Sequence, residues 1–530
     1  MDFPLPGVGY TITINEDGLS QLSMSGAVIG SGIVQLIDGS WFYRPFDPAG
    51  RVPTIASKTV EFQPNGAIVT HTYTGLLSAK VVYTYTVSGN DVHISAHVSN
   101  THATKTLQPA FTSMSFLRSS GGTYINLGFD QSHTQNNPDI YYPGSNVPYA
   151  AAVWAGVPST ASGAPQINLA AWSEEDPYEK FMQLLFGHSP YPGVSMGSIF
   201  FQTVPPGGSR VYKWAYRFQN STDWKDLLGG YKTTLRSAFP TLAYEPDARP
   251  LCQFSSIHPS YIRPDNPYGY NDNGGGVFRR FDTLAGCQDY VDKLTGPMSQ
   301  TGYQGIVLWQ PQGIHPRGIQ YRPDFNVFPT ETIPNIPTLT SGFRNAGLSI
   351  GLLSRPGVTI TSSTWTTDGL TRLTDYPESV LDLKFRLQWA IEQNFNAFYL
   401  DSFTSVGVDH NILKIIRDSV GSNVHLFVEH STALSMALGA MYAELSWNNG
   451  LVLTQKQQIL RWLWPESIVA AKLVSALPPG GYAELYPAMF DLKLTPWVED
   501  HRVQSVAPGS ENAILKPLVA SRIGPDRRWL

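Results

Sequence analysis

Two carboxylates follow directly after short apolar segments of the sequence. Asp401 comes after "AFYL" and Glu429 comes after "HLFV", 28 residues further along the chain. Short apolar runs of this kind are typical of buried strands, and a carboxylate at the end of one leaves the apolar layer as the strand ends. Two carboxyl groups held about 5 to 5.5 Å apart are the apparatus of retaining glycoside hydrolysis, with one nucleophile and one acid/base.

Each carboxylate also has a purely structural interpretation. Asp401 at a strand end can cap a helix or bind local amides, as Ser402 and Thr404 also can. Glu429 is a poorer capping residue, and Glu is rarely buried without a partner. Glu444, in "MYAELSW", ends the next apolar segment. We therefore take Asp401, Glu429 and Glu444 as the catalytic candidates, with one of the two Glu residues left open as a substrate-binding group.

The elements that must position these residues lie in the second half of the chain. Apolar runs such as "GIVLW", "LSIGLLS", "AFYL" and "HLFV" alternate there with helical stretches. Strands that are apolar on both faces and alternate with helices predict a parallel sheet covered by helices. We predict a (β/α)8 barrel over residues 246–505, with its seventh and eighth strands unplaced. An open doubly wound sheet is the alternative, although no G-x-G-x-x-G follows a strand.

In such a barrel the active site lies at the carboxyl ends of the strands. Aromatic residues there can stack on sugar rings, while polar and cationic residues can bind hydroxyl or carboxylate groups. Each also has a structural alternative, as a core ring, a rim ion pair or a locally bonded histidine. The substrate-binding candidates are His258, Trp309, Gln310, Arg355, His430, Trp447 and, from a long loop, Trp365.

The first half of the chain has a different pattern. Segments such as "YTITINEDG" and "KVVYTYTVSGNDVHISAHVSNT" alternate in polarity and are separated by turn residues. Many antiparallel strands at short spacing predict a β-sandwich, here over residues 1–220. Residues 221–245 are predicted to form a helical linker, and residues 506–530 a tail that packs on the barrel.

The composition favours a neutral ligand. Only 15% of residues are charged while 12% are aromatic, and aromatic faces with polar loops suit hydroxyl-bearing molecules. A net charge of −5 without a basic cluster argues against nucleic-acid binding. Cys252 and Cys287 lack metal-site spacing and are expected to pack as small apolar residues, although a disulfide between them stays open. Neither H-x-H nor H-E-x-x-H occurs, so we predict no metal and no cofactor.

Targeting signals are equally sparse in the sequence. The first residues have no basic segment followed by an apolar one, and no stretch reaches the roughly 20 apolar residues of a membrane helix. We therefore predict no membrane partner. The compartment is left open between the cytoplasm and export with a signal removed, and the oligomeric state is left open too.

"FYLDSF" and the later "LFVEH", on predicted strands 4 and 5 of a barrel that follows a large β-sandwich, resemble the endo-α-N-acetylgalactosaminidase group and related α-retaining glycosidases. The resemblance implies that Asp401 is the nucleophile and Glu429 the acid/base in hydrolysis of α-linked oligo- or polysaccharides. The wider α-galactosidase-like group places its acid/base after strand 6, which would be Glu444. "YLDSF" lacks the Lys-x-Asp typical of α-galactosidases, so the sugar is not implied. A non-catalytic carbohydrate-binding or surface-attachment protein is the alternative function.

Overall fold

The chain forms two compact units, Met1–Pro240 and Thr241–Leu530, in a computed structural model. The structure describes residues 1–24, 26–38, 54–75, 77–116, 123–126, 132–134, 151–157, 167–174, 182–188, 194–200, 202–219, 221, 223–254, 261–270, 280–309, 311, 328, 330–354, 358–360, 370–372, 377–401, 410–429 and 431–530.

The N-terminal unit contains two antiparallel sheets. Its strands are, in chain order, β1 (Asp2–Pro4), β2 (Tyr10–Asn15), β3 (Gly18–Met24), β4 (Ala27–Asp38), β5 (Thr54–Gln63), β6 (Gly66–Thr74), β7 (Ala79–Ser88), β8 (Asp91–Asn100), β9 (Pro109–Phe116), β10 (Thr123–Asn126), β11 (Ser132–Thr134), β12 (Ala151–Val157), β13 (Ile167–Ser173), β14 (Met182–His188), β15 (Val194–Phe200) and β16 (Ser209–Gln219). One sheet has the order β1-β2-β3-β4-β9-β15-β14, and the other β11-β10-β12-β13-β16-β8-β7-β6-β5.

The two sheets share one apolar core. Alternate residues of strands such as β2 and β8 are buried, as expected when one face of each strand turns inward. Rings from the two sheets meet in this core: Phe111 of β9 stacks on Trp214 of β16 with centroids 5.0 Å apart, and Tyr10 lies 6.3 Å from Phe218. The predicted β-sandwich is confirmed.

Helix α1 (Trp224–Ala238) packs against this sandwich. Asp223 caps its first turn by accepting a hydrogen bond from the Lys225 amide. A Cβ at Gly230 would lie 2.7 Å from the Trp172 ring, so the absence of a side chain there lets the helix approach the sheet closely.

The C-terminal unit is an alternating strand and helix fold. Its elements are β17 (Leu251–Gln253), α2 (Leu284–Thr301), β18 (Gly305–Leu308), a 3₁₀ turn (Ile333–Asn335), α3 (Ile336–Asn345), β19 (Ser349–Ser354), β20 (Val358–Ile360), β21 (Leu370–Arg372), α4 (Pro377–Glu392), β22 (Ala397–Leu400), α5 (His410–Val420), β23 (His425–Val428), α6 (Ser435–Leu438), β24 (Ala440–Leu445), α7 (Gln455–Leu463), β25 (Val469–Leu473), α8 (Tyr482–Asp491), β26 (Thr495–Glu499), a 3₁₀ turn (Asp500–Arg502) and α9 (Glu511–Arg522).

Eight of these strands close into a parallel barrel in the order β17-β18-β19-β22-β23-β24-β25-β26. The short strands are buried on both faces because side chains fill the interior and helices cover the outside. The predicted (β/α)8 barrel is therefore confirmed, and the open doubly wound alternative is wrong. Cys252 and Cys287 are both buried free thiols. Among the described residues, no helix has the length and apolarity that crossing a membrane requires.

A buried histidine links the two sheets of the sandwich. His71 Nε2 donates to the Glu16 carbonyl at 2.7 Å, and its Nδ1 lies 3.2 Å from the Tyr73 hydroxyl. The Tyr73 oxygen accepts from the Leu36 amide at 2.9 Å and lies 3.3 Å from the Tyr83 hydroxyl. This arrangement uses Nδ1 as an acceptor and therefore fits a neutral ring. Burial lowers the pKa of His71.

This lowered pKa predicts a loss of stability in acid. The unfolded chain takes up a proton near the ordinary histidine pKa of about 6.5 whereas folded His71 resists it, so the free energy of unfolding falls as pH drops through that range. His71→Gln should flatten this acid slope in urea unfolding measured from pH 5 to 8. An unchanged slope would contradict the assignment.

His93 is the matched control of opposite sign. Its Nδ1 lies 2.7 Å from Glu174, and this hydrogen bond raises the pKa of His93. Its contribution to the free energy of unfolding is fully present below about pH 6.5, the pKa of histidine in the unfolded chain. That contribution is lost as pH rises through the raised pKa of His93 in the folded protein. His93→Gln should therefore remove stability mainly at the acid end of the same urea series.

Candidate active site

Five aromatic rings line the inside of the barrel. The ring centroids of Tyr399, Phe427 and Tyr442 lie 5.6, 5.3 and 5.0 Å from that of Trp497, which comes from the last strand. Trp309, directly after β18, lies 4.9 Å from Tyr399. Rings from five strands can meet only in the barrel interior, so these contacts identify the inward face of each strand. We call these five residues the aromatic floor.

The three candidate carboxylates share that inward face. Asp401, Glu429 and Glu444 each come two residues after a floor ring of the same strand, and residues two apart point to the same side. Each therefore lies one pleat beyond the floor ring of its own strand, toward the carboxyl end of the barrel. Burial, followed by the fields of neighbours that include all three carboxylates, raises the pKa of Tyr399 and of Tyr442. Both phenols are accordingly neutral.

Asp401 and Glu429 are direct neighbours in the sheet. The Asp401 amide donates to the Ser354 carbonyl at 2.8 Å, and the Glu429 amide donates to the Leu400 carbonyl at 3.1 Å. The register pairs Leu400 with Val428, so the two carboxylate residues come next at the same level. Adjacent parallel strands lie about 4.8 Å apart. Asp401 is only 4% exposed, whereas Glu429 is partly exposed.

Glu444 lies closer to the rim of the barrel than the other two. The register of β23 and β24 puts Glu429 level with Tyr442, so Glu444 stands one pleat, or about 6.6 Å, further along the strand direction. Glu444 is exposed, and the register with β25 pairs it with Lys472. It is thus two strands away from Asp401 and nearer to solvent.

Sequence reasoning missed several polar residues of this interior. Gln253 and Trp497 are 7% and 5% exposed, yet Gln253 Oε1 and Trp497 Nε1 have no hydrogen-bond partner within the described part of the chain. Lys472 Nζ lies 3.3 Å from Glu499 of the neighbouring strand. The available signal was the alternation in "TPWVE", which places Trp497 and Glu499 on one face once that segment is known to be a strand.

The predicted substrate-binding residues divide into two groups. Trp309 is part of the aromatic floor and partly exposed. Trp447 is partly exposed beyond Glu444, and its amide donates to Ser475 Oγ at 2.8 Å. The remaining predicted residues lie outside the described residues: His258, Gln310, Arg355, Trp365 and His430. Among described residues, no group of three or more His, Cys, Asp or Glu side chains could hold a metal ion.

Comparison with solved structures shows a similar architecture in an α-N-acetylgalactosaminidase, NagBb from Bifidobacterium bifidum. Its complex with GalNAc matches with a TM-score of 0.55 at 12% sequence identity, covering 98% of this chain and 92% of that chain. Its ligand-free form matches with a TM-score of 0.52 at 12% identity, with the same coverage. At this sequence identity the similarity shows a shared fold. That fold is the one implied by the resemblance to the endo-α-N-acetylgalactosaminidase group. No protein-family model and no curated protein sequence matches the chain.

Trp497 offers a test of the aromatic floor. Trp497→Phe keeps a ring against Tyr399, Phe427 and Tyr442 and removes a buried N–H without a described partner, so its packing loss and desolvation gain should offset to within about 1 kcal/mol. Trp497→Ala removes the whole ring and should cost about 3 to 5 kcal/mol. Urea unfolding measures both. An equal loss for both variants would mean that the indole N–H, not the ring, stabilises the barrel.

Proposed function

We propose that the chain is a glycoside hydrolase that cleaves α-glycosidic bonds of an oligo- or polysaccharide with retention of configuration. The observation that carries the proposal is the pair Asp401 and Glu429, level on neighbouring strands and facing the barrel mouth above the aromatic floor. Aromatic rings stack on the apolar C–H faces of a sugar. Paired carboxylates can cleave its glycosidic bond, with one acting as the acid and the other as the nucleophile.

Asp401 is the proposed nucleophile. Its carboxylate would attack the anomeric carbon and form a glycosyl ester while the acid/base gives its proton to the departing glycosidic oxygen. The acid/base then takes a proton from water, whose oxygen attacks the anomeric carbon and releases the Asp401 carboxylate. Burial of Asp401 and its amide hydrogen bond to Ser354 support this role, because a nucleophile must be held in place.

Glu429 is the proposed acid/base, since it is the neighbour of Asp401 in the sheet. Glu444 is the second candidate on a separate observation. It is exposed, which gives it access to solvent protons, and it lies two strands from Asp401 on the same inward face of the barrel. Whichever of Glu429 and Glu444 is not the acid/base would bind substrate hydroxyls.

The neutral floor supports the proposed chemistry in a second way. The phenols of Tyr399 and Tyr442 keep their protons because burial and the nearby carboxylates raise their pKa values. They add no negative charge beneath three carboxylates, and they retain O–H donors. The partly exposed ring of Trp309 is the proposed stacking face for the sugar.

The fold similarity to NagBb makes an α-N-acetylgalactosaminide the first substrate to test. We expect release of 4-nitrophenol from 4-nitrophenyl α-N-acetylgalactosaminide or from another member of a panel of 4-nitrophenyl α-glycosides. Asp401→Asn should lower kcat by a factor on the order of 10⁴. Undiminished turnover by this variant would contradict its role as nucleophile.

Glu429→Gln and Glu444→Gln form a matched pair that identifies the acid/base. Loss of the acid/base should lower kcat/KM about 10²- to 10⁴-fold on substrates with poor leaving groups, and much less on the nitrophenyl glycoside. Added azide should restore turnover of that variant alone and give a glycosyl azide of retained configuration. Rescue of Glu444→Gln instead of Glu429→Gln would identify Glu444 as the acid/base. Binding of the sugar without turnover by the unmutated protein would favour the non-catalytic carbohydrate-binding alternative.

A further inference from the structure

The barrel wall opens between its last two strands. The register pairs β25 with β26 at two positions, Ala470 with Thr495 and Ala471 with Pro496. Both strands continue beyond these pairs, to Leu473 and Glu499. Proline has no N–H to give to the ladder, and it is found where pairing ends. The two strands therefore separate toward the mouth of the barrel, one strand away from Glu444.

A cavity of about 180 Å³ occupies this opening. Residues 471–473 line one side and residues 497–499 the other, while Leu485 and Met489 of α8 close it on the outside. Tyr482, at the start of α8, contributes a partly exposed ring. We call this space the wall cavity.

The ion pairs that Glu499 makes in the wall cavity are long. Glu499 lies 3.3 Å from Lys472 Nζ, 3.6 Å from His501 Nδ1 and 3.7 Å from Arg502 Nη2. Charge-assisted hydrogen bonds are shorter, at about 2.7 to 2.9 Å. A hydroxyl group can therefore enter between these partners, accepting from a cation and donating to the carboxylate, without breaking a tight ion pair.

The apolar and aromatic groups fit the same kind of ligand. Trp497 lines the cavity, is 95% buried, and its Nε1 has no partner among the residues described. The Arg502 guanidinium lies 4.9 Å from the Tyr482 ring centroid, and its Nε lies 3.7 Å from Glu511. Lys472 and Arg502 are thus balanced by Glu499 and Glu511, which favours a neutral ligand over an anionic one.

We propose that the wall cavity is a second sugar-binding subsite, which takes the sugar residue adjacent to the one held above the aromatic floor. This inference rests on the proposed function. Its position supports it, because the register places Lys472 of the cavity level with Glu444 on the next strand. The occupant is a neutral pyranose, whose C–H groups meet the exposed part of Tyr482 and whose hydroxyls meet Glu499 and Lys472.

Calorimetric titration of the full chain carrying Asp401→Asn tests the subsite without turnover. The probes are N-acetylgalactosamine and α-linked di- and trisaccharides that carry it at one end. The disaccharide should bind about tenfold more tightly than the monosaccharide, and the trisaccharide should add little more. Tyr482→Ala should remove that tenfold gain and leave monosaccharide affinity unchanged, whereas Tyr482→Phe, which keeps the ring, should retain it.

Equal affinity for one and two sugar residues would overturn the subsite, as would a gain that persists in Tyr482→Ala. The proposed function is judged separately by turnover of aryl glycosides. Turnover of aryl glycosides without a gain in affinity from the second sugar residue would contradict only the proposed subsite. A length-dependent gain that Tyr482→Ala abolishes, in a protein without turnover, supports the subsite and removes the hydrolase. Failure of every probe to bind overturns the subsite as well.

Discussion

The packing of the Trp497 indole against the rings of Tyr399, Phe427 and Tyr442 is the contact on which the site depends. It fixes which face of four strands turns inward. Because side chains alternate along a strand, a shift of one residue would turn a strand's inward side chains toward the helices. The aromatic floor therefore sets the orientation of every carboxylate above it.

The same layer sets the electrostatics of the mouth. Below the carboxylates lie aromatic rings with neutral phenols, so the field of the charged groups is weakly screened on that side. Fixed charges in such a setting act more strongly on charge that develops in a transition state than they would in water. Gln253 and Trp497 each bury a polar atom that has no hydrogen-bond partner among the described residues, which lowers the stability of the fold. Unfavourable local features of this kind are expected at binding sites.

The sequence was sufficient to predict those strands that are apolar on both faces and end at a charged residue. "AFYL" and "HLFV" end at Asp401 and Glu429, and these segments are β22 and β23. The last two strands were missed for physical reasons. "VAAKL" carries no β-pattern distinct from the helical residues before it, and Pro496 inside "TPWVE" argues against a fully paired strand. That proline is tolerated because the wall opens beside it. Trp497 and Glu499 could not be assigned to the interior while their strand was unplaced.

The proposed mechanism requires that Asp401 forms a covalent bond with the sugar. Incubation with a fluorinated α-glycoside whose second step is slow, followed by mass spectrometry of the intact chain and its peptides, tests it most directly. We expect a mass increase of one glycosyl group, carried by the peptide that contains Asp401 and lost in Asp401→Asn. A label on Glu429 or Glu444, or release of a product with inverted configuration and no labelled protein, would contradict it.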